Sequence, residues 1–191
     1  MQTLTQGYKN SVMDSSKQKH LSKAQKAITR WAQVDDHQAL LDLSCHDTRL
    51  LSYYAQRYNI RTCGLCDSLE GLINTHSLSS AEIMQGSVHD IPWRDESFHS
   101  VFISAPIDEA RYTKLALEEI KRVLRPDGQL LIALPIFPLE MYPLASENDC
   151  LLKFSKRKEL LAYLKELGFE DTSLRFSGFG YVTMVARQYK A

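Results

Sequence analysis

The chain has 191 residues, 44% apolar and 24% charged, as expected of one soluble globular domain. Lys plus Arg and Asp plus Glu both number 23, so the net charge is zero and no electrostatic case exists for a nucleic-acid or membrane-surface partner. The most apolar stretch, Leu130 to Phe137, is too short to span a bilayer, and the first residues lack a secretory signal's apolar region. Four cysteines without an export signal read as reduced thiols in a cytoplasmic setting.

Residues 1–19 are polar and read as a mobile arm, and residues 20–35 as an N-terminal helix or lid. Within that segment Ser22-Lys23-Ala24-Gln25 has the form of a capping box, opening a helix to about Gln33 with Ala24, Ala27, Ile28 and Trp31 on one face. Strands and helices then alternate. Ala39–Leu43 reads as a strand, Thr48–Tyr58 as a helix, Ile60–Leu65 as a strand, Leu69–His76 as a short helix, and Ala81–Gln85 and Ser100–Ser104 as strands. Glu109–Leu124 is a helix whose inner face is expected to carry Tyr112, Leu115, Ala116, Ile120, Val123 and Leu124. Arg125-Pro126-Asp127-Gly128 is a turn and Gln129–Leu134 a buried strand. Ser155–Leu167 is a helix stopped by Gly168, and residues 169–176 and 181–188 form a closing hairpin. The pattern predicts an α/β, Rossmann-like three-layer sandwich: a mostly parallel seven-stranded sheet with an antiparallel C-terminal hairpin, in a single domain over residues 1–191.

One stretch stands out, Leu40-Leu41-Asp42-Leu43-Ser44-Cys45-His46-Asp47-Thr48-Arg49. It is an apolar strand, a tight polar loop and the start of a helix, which is the form of a nucleotide-type site at a first βα turn. Such loops usually carry glycines, because backbone must approach the ligand closely. Here the glycines are missing. Either positive φ is retained at a cost, or the loop takes another path.

The helix–turn–strand from Glu118 to Ile132, Gly86-Ser87-Val88-His89-Asp90-Ile91-Pro92-Trp93 with Asp95-Glu96-Ser97-Phe98, and Glu166-Leu167-Gly168-Phe169 together resemble the class I S-adenosylmethionine-dependent methyltransferases, in their small-molecule branch, from about residue 20 onward. The resemblance implies methyl transfer from S-adenosylmethionine to a small-molecule substrate, with neither nucleic acid nor membrane as partner. It implies a cofactor site formed by Asp42, Ser44, Cys45, His46, Cys66, Asp67, Ser87, Val88 and Ser104. Asp42 matches the family's first acidic residue, and Ser44, His46 and Thr48 stand where its alternating glycines would be. Cys66 stands where a carboxylate meets the ribose hydroxyls, with Asp67 beside it. Ser87 and Val88 stand near the adenine position, and His99 replaces a common aspartate of the fourth strand. The glycine-poor first motif is degenerate, which leaves an alternative: an inactive methyltransferase-fold protein acting as a ligand-binding or partner subunit. Neither a catalytic base nor an oligomeric state is read from the sequence. Cys63 and Cys66 have CxxC spacing, but residues three apart in a strand face opposite ways, so no metal site is expected.

Overall fold

A computed structural model describes residues 21–45, 47–68, 81–104, 114–136, 154–178 and 180–188, without the side chains of 154–157. The arm over 1–19, the helix expected at 69–76, Tyr112, Cys150 and His46 lie outside the described residues. In chain order the elements are α1 (Lys23–Thr29), β1 (Ala39–Asp42), α2 (Arg49–Arg57), β2 (Arg61–Cys66), β3 (Glu82–Gln85), β4 (Phe98–Ile103), α3 (Lys114–Val123), β5 (Leu124–Pro135), α4 (Phe154–Glu166), β6 (Asp171–Gly178) and β7 (Tyr181–Arg187).

The strands form one seven-stranded sheet in the order β3-β2-β1-β4-β5-β7-β6. Pairings from β3 through β5 are parallel, and β7 runs antiparallel to both β5 and β6. Alternating side chains feed two cores. Leu41, Leu43, Cys63, Leu65, Val101 and Ile103 join Ala116, Leu117, Ile120 and Leu164 on one face. Leu40, Cys66, Phe102, Leu131 and Ala133 join Ala27, Ile28, Leu50, Leu51 and Tyr54 on the other. The period-two alternation of strands thus divides the chain into the three expected layers.

The Arg125–Gly128 turn survives as an interruption inside β5. Leu124 pairs with Phe98 and the next pairing is Gln129 with Ser100, so the intervening residues loop out of the ladder. The inner face of α3 differs from the expected one. Ala116, Leu117, Ile120 and Val123 are buried, whereas Leu115 is 55% exposed. Leu117 lies within a turn of both Ala116 and Ile120, and Leu115 is rotated off that stripe. α1 is shorter than expected and packs into the core, with Ala27 and Ile28 fully buried. Its box forms as read: Ser22 Oγ accepts the Gln25 N–H and Gln25 Oε1 accepts the Ser22 N–H.

Two polar clusters tie elements together. The Arg122 guanidinium donates to both oxygens of Glu119 at 2.7 and 2.8 Å, to Asp95 at 2.7 Å, and to the Ile91 and Trp93 carbonyls at 2.9 Å each. Glu119 also accepts the Ile91 N–H at 3.0 Å, so α3 holds the segment leading into β4. At the opposite edge, Thr183 Oγ1 donates to the Ala27 carbonyl at 3.0 Å and Trp31 Nε1 donates to Ser177 Oγ at 3.0 Å, which pins α1 to the final hairpin.

Candidate functional site at the carboxyl end of the sheet

β1 has β2 on one side and β4 on the other, so the chain winds outward in both directions from it. That reversal is the switch point at which open α/β sheets bind ligands. Asp42 pairs in register with Gly64 and Phe102, which brings Asp42, Ser44, Cys45, Cys66, Asp67 and Ser104 to the same end of three adjacent strands. Ser87 and Val88 follow β3 at that end.

Asp42 is fully buried. Its Oδ1 accepts the Ser44 N–H at 3.0 Å, and its Oδ2 is buried with no hydrogen-bond partner. Ser44 Oγ is likewise buried and unpartnered. Burial pushes the Asp42 carboxyl up to about 7, against the pull of the Ser44 N–H and with a further push from Asp47. Two unsatisfied polar atoms in one buried spot are costly unless a ligand meets them.

At its described residues the loop after β1 takes a path that needs no glycine. Among the described residues only His37 and Glu96 have positive φ outside glycine, so Ser44, Cys45, Asp47 and Thr48 keep ordinary conformations. Side chains fix the path instead. The Cys66 thiol donates to the Cys45 carbonyl at 3.0 Å. The Cys45 side chain is buried above Gly64, where an added Cβ would stand 2.6 Å from Cys45 Sγ and 3.0 Å from its Cβ. Burial raises the Cys45 thiol well above its ordinary value, so it packs as an apolar group. Gly64→Ala should therefore destabilise the protein by about 1–3 kcal/mol through overpacking. A Cys45→Ala partner change should recover part of that loss, which urea unfolding of both single variants and the double variant would measure.

A family model for the methyltransferase domain matches residues 41–132. Over that stretch the chain is similar to methyltransferase domains. The YrhH protein of Bacillus subtilis is 34% identical over 101 residues, 53% of this chain and 48% of that protein. The matched stretch spans less than half the length of the curated relatives. Among solved structures, one chain of the Haloferax volcanii complex containing the Trm112 methyltransferase activator aligns with TM-score 0.71 at 17% identity, covering 88% of this chain and 89% of that one. An S-adenosylmethionine-dependent methyltransferase from Aquifex aeolicus aligns with TM-score 0.66 at 16% identity, covering 85% and 88%. At such identities the likeness establishes the fold.

Set on this methyltransferase fold, the remaining site residues divide by what they present. Cys66 is buried with its thiol turned to the first loop, and Asp67 is exposed beside it. Ser87 is exposed and its Oγ accepts the His89 N–H at 3.1 Å, while the Val88 side chain lies in the core, leaving backbone to face outward. Ser104 is buried just past β4. His46 lies outside the described residues. His99 sits at the far end of β4, where its Nδ1 accepts the Ala39 N–H at 3.1 Å, and burial holds its imidazole below the ordinary value. A neutral ring there supplies the acceptor that an aspartate would. Cys63 and Cys66 point into opposite cores, as their spacing in β2 requires. Sequence reasoning passed over one contributor: Gln25, whose amide reaches the loop from α1. Its polar character on an otherwise apolar helix face was the available signal.

Proposed function

We propose that this domain binds S-adenosylmethionine against the loop after β1 and transfers its methyl group to a small-molecule acceptor. The observation that carries the reading is the buried pair of unpartnered atoms, Asp42 Oδ2 and Ser44 Oγ, at the switch point of a methyltransferase fold. Acceptor atoms of that kind suit the amino group of an amino-acid moiety. When bound, the sulfonium supplies the activated methyl group. Asp42 and Ser44 hold the amino-acid end, Cys45 and Ser104 border it, Ser87 and Val88 meet the base through backbone, and Asp67 beside Cys66 takes the sugar hydroxyls. The chain's contribution is positioning and exclusion of water, and no described side chain need act as a base for a nucleophilic acceptor. The three described cysteines, all buried and outside any disulfide, suit a reducing cytoplasmic setting. Among the described residues no helix is long and apolar enough to cross a membrane.

Titration calorimetry with S-adenosylmethionine and S-adenosylhomocysteine tests the cofactor reading. One-site micromolar binding supports it, and absence of binding by folded protein overturns it. Labelled methyl groups appearing in the low-mass fraction of an extract, rather than in protein or nucleic acid, would support the acceptor class. A second reading, a partner subunit without methyl transfer, is favoured by Cys66, whose thiol is committed to the Cys45 carbonyl and offers no carboxylate to a ribose. The Haloferax complex supplies a precedent in this fold for pairing with an activator protein.

A further inference from the structure

We infer that Gln25 is a positioning residue for the loop after β1, coupling α1 to Asp47 and thereby setting how tightly the site holds its ligand. The inference rests on reading that site as one for an S-adenosyl ligand. Gln25 is polar yet buried. Its Oε1 accepts the Ser22 N–H at 2.9 Å, and only an amide oxygen can do so, which fixes the orientation of the amide. Nε2 then donates to Asp47 Oδ1 at 3.2 Å. The same oxygen accepts the Arg49 N–H at 2.9 Å, and Asp47 Oδ2 meets the Arg49 guanidinium at 2.6 Å. Asp47 therefore cannot turn toward another partner without giving up the first helical N–H of α2. Burial opposes its charge, but the hydrogen bonds from Arg49 and Gln25 prevail and hold its carboxyl below the ordinary value.

The bond joins the starts of α1 and α2 across the loop. α1 can act as its fixed end because the helix is pinned elsewhere, through Ala27 to Thr183 and through Trp31 to Ser177. A loop whose conformations are ordinary at Ser44, Cys45, Asp47 and Thr48 draws its shape from such contacts. Asp42 and Cys66 brace it from the strands on which it sits. Gln25 braces it from a separate helix, so a shift of α1 is transmitted to the ligand site.

Gln25→Glu separates this role from simple capping. Glutamate keeps the box with Ser22 but sets a carboxylate against Asp47. In the ligand-free protein, amide exchange over residues 43–49 should rise about tenfold, while β4 stays protected. The Kd for S-adenosylhomocysteine should rise about tenfold as the charge-assisted bond is lost. Ser22→Ala, which breaks the box without touching Asp47, should leave loop exchange and Kd unchanged. If the added charge unfolds α1, Gln25→Met, which keeps the length of the side chain, is compared with Ser22→Ala in the same two measurements. Unchanged loop exchange in the Gln25 variants, or equal effects from Ser22→Ala, would overturn the inference. If the wild type binds no S-adenosylhomocysteine, the reading of the site falls, and loop exchange alone then decides whether Gln25 couples α1 to the loop.

Discussion

Asp42→Asn should make the protein more stable above neutral pH and, in the same variant, weaken its hold on an amino-acid-bearing ligand. In the unfolded chain Asp42 titrates near its ordinary value of 3.8, and in the folded one near 7. Between those values the folded state keeps a proton that the unfolded state has released. Stability from this group is thus fully present below the unfolded value and is lost as pH rises toward 7, with no further change beyond. The loss at pH 8 is on the order of a few kcal/mol, since the side chain is fully buried and lacks a counter-charge. Asparagine retains an oxygen for the Ser44 N–H and does not ionise, so urea unfolding of the variant should show a flat profile between pH 4 and 8 where the wild type declines. Matching declines would show that Asp42 does not titrate across this range. Binding should move the other way. A carboxylate facing an ammonium group is lost, so the Kd for S-adenosylhomocysteine at pH 8 should rise at least about tenfold.

Arg122→Met should cost about 3 kcal/mol and lower Tm by roughly 6–12 °C, without altering ligand contacts directly. Methionine retains the packing of the aliphatic stem. It removes every donor from a cluster that holds Glu119, Asp95 and the carbonyls of Ile91 and Trp93. Glu119 is then left part-buried, with the Ile91 N–H as its remaining bond in that cluster. Glu119→Gln, which keeps an acceptor for Arg122, should cost less than half as much. Differential scanning calorimetry of both variants checks the order, and equal losses would mean that bulk packing rather than the charged cluster matters.

The two variants show where the sequence was readable and where it was not. Local rules carried the framework: the Ser22 and Gln25 box, the stop at Gly168 with its φ of 92°, and the pairing of the last two strands each depend on neighbours close in sequence. Leu115 was misplaced because several phases of an apolar stripe fit a short helix, and the sheet decides among them. The loop after β1 was readable in place, since Asp42 falls at the end of its strand. Its path was not readable, because whether Ser44 and Thr48 need positive φ depends on contacts from β2 and α1. Cys66 illustrates the same limit. That a thiol makes a poor ribose ligand follows from its chemistry alone, but that it turns to the Cys45 carbonyl follows from the register of β1 with β2. Nothing local to Arg122 in the sequence names its partners, which are assembled only when the segment before β4 folds over α3.

The pinning of α1 also orders events during synthesis. Its anchors, Ser177 and Thr183, lie 146 and 156 residues downstream of Trp31 and Ala27. A nascent chain that has reached β5 can already pair its parallel strands and offer α1 the apolar bed of Leu40, Phe102 and Leu131, but not its two polar anchors. That helix is too short to persist alone in water. Its polar pins close only after the closing hairpin has emerged. A ribosome stalled ahead of β6 would thus display a sheet on which α1 rests without its polar anchors.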